Sequence, residues 1–159
     1  MRPLPYTDSV VRALEAELQQ EYVLRYGGGD ESPVDPAQFA PPHGLFLVGF
    51  VGDEPVASGG YRRHEDGVAE IKRMYVVGSR RRTGYARRLL AELERRSAAA
   101  GYRRILLETG LCQPEAVALY QTSGYQPVSG FGHYQGKPLA RAFGKDLGES
   151  PPPSDASRW

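Results

Sequence analysis

One junction limits the fold of this chain more than any other stretch. Residues 71–77 form an apolar run that reads as a strand, and residues 85–100 read as a helix. Between them comes the basic loop that includes Arg81-Arg82-Thr83-Gly84-Tyr85-Ala86. A strand that feeds a helix through such a loop leaves the N–H groups of the first helical turn unpaired. The helix dipole adds about half a positive charge at that end. Together they make an anion site. Gly84 has no Cβ to hold a ligand away from the backbone. The loop therefore reads as a cradle for a pyrophosphate.

The rest of the chain fits around that junction. Thr7, Asp8 and Ser9 offer caps for a first helix, in which Val11, Leu14, Leu18 and Tyr22 recur at helical spacing. Gly27-Gly28-Gly29 ends it. Residues 30–44 carry Pro33, Pro36, Pro41 and Pro42 and are predicted to be a long loop with one helical turn near 35–39. Such loops often act as lids. Leu45–Val51, residues 55–63 and residues 68–77 read as an antiparallel meander joined by short turns. After the anion loop, Ala86, Leu89, Leu90 and Leu93 give the next helix an apolar face, and Gly101 caps its end. Residues 104–108 form a further strand. Pro114 opens a helix that Gly124 closes, and residues 125–128 and 140–147 make a last hairpin. The reading is one α+β domain over residues 1–147: a mixed, mostly antiparallel central sheet flanked by about four helices in three layers. The Pro-rich tail, 148–159, is expected to be flexible.

Charge excludes some partners. The chain has 159 residues, and its 20 basic and 19 acidic side chains leave a net charge of +1. That gives little attraction for nucleic acid or an anionic membrane. The arginines of residues 80–104 are interleaved with Glu92, Glu94 and Glu108, as on a solvated helix face with Glu92–Arg96 paired. Cys112 is the single cysteine, so no intrachain disulfide forms, and it reads as a packing residue. The N-terminus lacks the pattern of a secretory signal, and no apolar run nears the ~20 residues that span a bilayer. A cytoplasmic protein is expected.

Three motifs, in order and across residues 4–147, resemble the GNAT superfamily of acetyl-CoA-dependent N-acetyltransferases, in particular its small stand-alone bacterial members. Arg81, Gly84 and Ala86 fill the fixed positions of its Gln/Arg-x-x-Gly-x-Gly/Ala motif. The strand before it, Ala69-Glu70-Ile71-Lys72-Arg73-Met74-Tyr75-Val76, matches the strand that splays from its neighbour in this family. Ala116, Leu119, Tyr120, Gly124 and Tyr125 match the third motif, with Gln113 in place of the usual Asn.

The resemblance implies acetyl-CoA as cosubstrate and an amine of a small molecule, amino acid or peptide as acceptor. No metal is implied, and the chain would act as a monomer or homodimer. Arg81, Arg82, Thr83, Gly84, Tyr85 and Ala86 would hold the pyrophosphate. Met74, Tyr75 and Val76 would bind the pantetheine arm through their backbone, with Gln113 and Ala116 also against the cofactor. Arg87 or Arg88 would reach the 3′-phosphate.

Glu70, fourteen residues before Gly84, stands at the offset of a general-base glutamate in the histone-acetylating branch. The other reading of Glu70 is an ion pair with Arg62 or Lys72. Tyr120 would be the general acid, and the Val76 N–H the oxyanion donor. Strand alternation places Glu70, Lys72, Met74 and Val76 on one face. The first helix and residues 27–44 would wall the acceptor pocket, with Arg62, Arg73 or His133 as its polar groups. A cation there would suit an acceptor bearing a carboxylate. The alternative function is a catalytically weak acyl-CoA-binding regulatory module.

Overall fold

The computed structural model describes residues 1–148, so the expected tail lies, after Gly148, outside the described residues. Among the described residues, seven strands form one sheet in the order β1-β2-β3-β4-β5-β7-β6. They are β1 (Arg2–Pro3), β2 (Leu45–Val51), β3 (Glu54–Glu65), β4 (Val68–Val76), β5 (Arg104–Gly110), β6 (Gln126–Val128) and β7 (Ala140–Asp146). All neighbours pair antiparallel except β4 and β5. Sequence reading missed β1, whose two residues are too few to show a period, and found the other six.

Three α-helices are present among the described residues, α1 (Ser9–Tyr26), α2 (Tyr85–Ala99) and α3 (Pro114–Thr122). About four helices were expected; short 3₁₀ turns at Pro36–Phe39, Gly78–Arg80 and Gly132–Tyr134 make up the remainder. Asp8 starts α1 by accepting a 2.8 Å hydrogen bond from the Val10 N–H, and Gly27 ends it in the left-handed region. Pro114 begins α3 at a position where a missing N–H costs nothing.

The helices lie on both faces of the sheet. On one face, Leu89, Leu90 and Leu93 of α2 and Tyr120 of α3 pack with Leu47, Ile71, Ile105 and Phe143 from the sheet. Full burial of each such side chain contributes roughly 1.5–3 kcal/mol. On the other face, Val11 and Leu14 of α1 pack with Phe39, Phe46 and Val48. Tyr6, Phe39 and Phe46 form an aromatic cluster there, with ring centres 5.1–5.5 Å apart. Among the described residues, no helix is long and apolar enough to cross a membrane.

Two irregularities of β4 shape the site. The first is a bulge. Gly60 pairs with Lys72, but Ser58 pairs with Tyr75, so Arg73 and Met74 together oppose one residue of β3. Arg73 absorbs the extra residue at φ 61°. The alternation expected from sequence is therefore corrected. Glu70 and Lys72 lie on the α1 face, whereas Met74 and Val76 pack into the α2 core on the opposite face. Arg73 follows Lys72 onto the α1 side, where it pairs with Glu15 at 2.7 Å and lies 2.9 Å from the Asp30 carboxylate. A single inserted residue reverses every later side chain, and no period in the sequence marks where that happens.

The second irregularity is a divergence. β4 and β5 are in register only from Val68↔Arg104 to Ile71↔Leu107. Beyond that point β4 runs on to Val76 and β5 to Gly110 with no pairing between them. The splay opens a gap in the middle of the sheet.

Candidate active site

A cavity of about 450 Å³ occupies this gap. Met74 of β4, Thr109 and Gly110 of β5, Gln113 just before α3, and Ala116 and Tyr120 of α3 line one part of it. Val77 N–H donates to Val56 O at 2.9 Å, on the β3 side. Hydrogen-bonding groups alternate sides along an extended strand. Val76 therefore turns its N–H and C=O towards the gap, and its carbonyl accepts a 3.2 Å bond from Arg81 Nε there.

Tyr120 is 7 % exposed, and among the described residues its hydroxyl donates only a 3.9 Å contact to Met74 Sδ. Tyr125 and Phe143 stand 5.8 and 6.1 Å from its ring. These apolar surroundings push the phenol pKa up to about 12, so it stays protonated at neutral pH. Gln113 receives a 3.2 Å bond from Tyr26 at the end of α1. Tyr26 rests against Gly110, where a Cβ would stand 2.0 Å from its hydroxyl oxygen.

The basic loop follows β4 as the sequence requires. Gly84 has φ 86° and is the N-cap of α2, with no side chain capping that helix. A Cβ at Gly84 would meet nothing within 4 Å, so backbone conformation is what requires glycine here, and the space above it is open. Arg82 is left-handed as well, at φ 62°. Thr83 donates its hydroxyl to Arg80 O. Arg81 is engaged by Glu21 of α1 and lies over the Tyr75 ring. Tyr75 points to α1, where it bonds Glu17 at 3.0 Å. Arg87 bonds Thr122 and Ser123 at 2.9 and 3.1 Å, and Arg88 lies over Tyr85.

A second cavity, about 470 Å³, lies beside the first. Arg62, Arg63, His64 and Phe131 line it, with residues of the 27–44 segment such as Ser32 and Gln38. The two cavities share Glu70, Lys72, Glu108, His133 and Tyr134.

Glu70 is buried at this junction and accepts a 2.9 Å bond from Arg62 Nε, with Lys72 Nζ 4.0 Å away. Arg62 also bonds Pro33 O and Gln38. Of the three polar groups expected in the pocket, Arg62 and Arg73 are thus held in ion pairs, and His133 lines both cavities. Burial opposes ionisation of Asp30, but Lys72 and Arg73 overcome it and lower its pKa.

Sequence reading missed Glu108. On the sequence it is one of several acidic residues among arginines. In the fold it faces both cavities, and no described residue donates a hydrogen bond to its carboxylate or pairs with it. Burial first, then the negative charge of Glu70, raises its pKa to about 7, although Lys72 pulls the other way. The strand alternation Arg104, Leu106, Glu108 is a signal in principle, but it cannot tell that β4 will move away at this level. Among the described residues, no group of three His, Cys, Asp or Glu side chains is placed to hold a metal.

A gap in a mixed sheet, a basic loop at a helix N-terminus and a buried tyrosine beside the gap make a specific combination. The model of the acetyltransferase (GNAT) family matches residues 12–125. The chain belongs to the GNAT acetyltransferase family. This GNAT chain is an acyltransferase. It is 34 % identical over 147 residues to the IAA acetyltransferase of Azospirillum brasilense, covering 92 % of this chain and 95 % of that one. A solved structure from Klebsiella pneumoniae, assigned to the acyl-CoA N-acyltransferases, is 31 % identical. It superposes with a TM-score of 0.76 over 92 % of this chain and 95 % of that chain. An aminoglycoside 6′-N-acetyltransferase complexed with coenzyme A shares the fold, with a TM-score of 0.69 and 17 % identity over 97 % and 98 % of the chains.

Proposed function

We propose that the protein transfers an acetyl group from acetyl-CoA to a primary amine by direct attack in a ternary complex. The observation that carries this reading is the opening of β4 from β5 beside the Tyr120 hydroxyl. The open loop of residues 81–86 suits the pyrophosphate, through the backbone N–H groups at the start of α2. The free edge of β4 between Met74 and Val76 suits the amide groups of the pantetheine arm, through Val76, while Tyr75 turns its backbone groups to β3; Gln113 and Ala116 stand on the far wall. The coenzyme A complex of the aminoglycoside acetyltransferase supports the choice of donor. In the same reading, binding requires Arg81 to exchange Glu21 and Val76 O for the ligand.

The acceptor enters through the second cavity. Its ammonium must first lose a proton, since an amine with a pKa of ~10 is mostly protonated at neutral pH. The carboxylates at the junction, Glu70 and Glu108, are the proton-accepting groups, directly or through water; Glu70 is held by Arg62, and Glu108 has no hydrogen-bond donor among the described residues. The amine nitrogen then bonds to the thioester carbon. The Val76 N–H, turned into the gap, stabilises the oxyanion. The C–S bond breaks, Tyr120 gives its proton to the sulfur, and the second proton on nitrogen restores the phenol. The apolar surroundings that raise this phenol also raise the basicity of a thiolate formed beside it. The products are the N-acetyl amine, coenzyme A with a free thiol, and one proton.

Calorimetry with acetyl-CoA, followed by release of thiol from acetyl-CoA in the presence of an amine panel, tests the proposal. Binding together with amine-dependent thiol release is expected. Binding with no release for any amine would instead favour a regulatory acyl-CoA-binding module.

A further inference from the structure

The junction of the two cavities holds several charged groups, and most of them are already satisfied. Glu70 has Arg62. Asp30 has Arg73 beside it and receives hydrogen bonds from Ser32 and Tyr134. Arg73 also has Glu15. Two groups remain. Glu108 has no hydrogen-bond donor among the described residues. Lys72 has its nearest carboxylate oxygens at 3.9 Å on Asp30 and 4.0 Å on Glu70, beyond hydrogen-bond reach, although its side chain is only 10 % exposed. An ammonium this buried is costly without hydrogen bonds to its three N–H donors. Lys72 and Glu108 do not pair with each other, yet both line the two cavities.

A carboxylate without a donor and an ammonium without an acceptor, lining the same two cavities, match a ligand that carries the opposite pair. We propose that the acceptor is a zwitterion of the amino-acid type, whose amine is delivered to Glu108 and whose carboxylate is held by Lys72. This inference rests on the acetyl-transfer reading. Its side chain lies in the second cavity against Phe131 and His64, which meet edge to face at 5.1 Å. That wall suits an aromatic or large apolar side chain. In the reaction Glu108 takes one proton from the acceptor ammonium, the N–C bond forms, the C–S bond breaks, Tyr120 protonates the leaving thiolate, and the second proton on nitrogen restores the phenol. The product is an N-acetyl amino acid that keeps its carboxylate on Lys72. The raised pKa of Glu108, near 7, fits a group that exchanges protons at neutral pH.

The test compares phenylalanine with phenethylamine, and leucine with isoamylamine, as acceptors for the wild-type enzyme and acetyl-CoA. Each pair differs by the carboxylate alone. A site built to bond a group rejects the analogue lacking it strongly. The amino acid should therefore exceed its amine in kcat/KM by at least ~100-fold. Lys72→Met or Lys72→Gln should collapse that ratio to within ~10-fold of unity, mainly through KM. Glu108→Gln should lower kcat for the amino acid by ~100-fold or more. Equal use of amines and amino acids by the wild type would overturn this inference alone and leave acetyl transfer standing. So would a ratio untouched by both Lys72 variants, or an unchanged kcat in Glu108→Gln. Failure to acetylate any amine would overturn the acetyl-transfer reading, and this inference with it.

Discussion

Tyr120→Phe separates a catalytic hydroxyl from a structural one. The ring packs with Tyr125 and Phe143 in the main core, and phenylalanine keeps that packing. The hydroxyl itself contributes little to folding, because its one described partner is a thioether sulfur 3.9 Å away. Replacing a poorly bonded buried hydroxyl by hydrogen in an apolar site is close to neutral, so unfolding stability should change by less than ~1 kcal/mol. A positioned general acid contributes about 10²–10⁴-fold in rate. A ~100-fold fall in kcat corresponds to ~2.7 kcal/mol of transition-state stabilisation, well above the folding effect. Urea denaturation would measure the first quantity, calorimetry the affinity for acetyl-CoA, and pre-steady-state thiol release the chemical step. Stability and affinity should hold while the chemical step slows by about two orders of magnitude or more. An unchanged chemical rate would refute the acid role, and a stability loss above ~2 kcal/mol would show that the hydroxyl bonds something essential to the fold.

Other positions give sharper local tests. Gly84→Val forces a β-branched residue to φ 86° at the mouth of the anion loop, and acetyl-CoA affinity should fall by at least ~10-fold, at a folding cost of ~1–2 kcal/mol; calorimetry and denaturation check the two separately. Glu21→Gln removes the carboxylate that holds Arg81, so coenzyme A should bind more tightly, with a faster association rate in stopped flow. Glu108 has a folded pKa raised above that of the unfolded chain by burial and by Glu70. Its contribution is therefore fully present below the unfolded value and is lost as pH rises through about 7. Glu108→Gln should be more stable than wild type at pH 8, with the gap closing towards pH 4, as read from denaturation midpoints across pH.

Much of the fold could be read from local pattern because the local signals agree with one another. Helix and turn punctuation by Asp8, Gly27, Gly84, Pro114 and Gly124 falls at real element ends. The apolar period of Leu89, Leu90 and Leu93 marks a face that is buried. The site was harder because it depends on departures from pattern. The bulge at Arg73 moves Met74 and Val76 to the face opposite Glu70, and a period of two cannot anticipate it. Glu108 gains its raised pKa first from burial and then from the negative charges of Glu70 and Asp30, both distant in sequence. Lys72 and Arg73 are adjacent cations on paper; only the fold pairs one and leaves the other without a hydrogen bond. Of the two roles the sequence offers Glu70, the structure shows the ion pair with Arg62, and the Glu70 charge also acts on Glu108.

The most direct test of acetyl transfer through the β4–β5 gap is an initial-rate study with acetyl-CoA and phenylalanine varied together. Direct attack in a ternary complex predicts double-reciprocal lines that intersect, with one N-acetyl product formed per thiol released. Parallel lines, together with burst release of thiol before any amine is added, would mean an acyl-enzyme intermediate and would contradict the account.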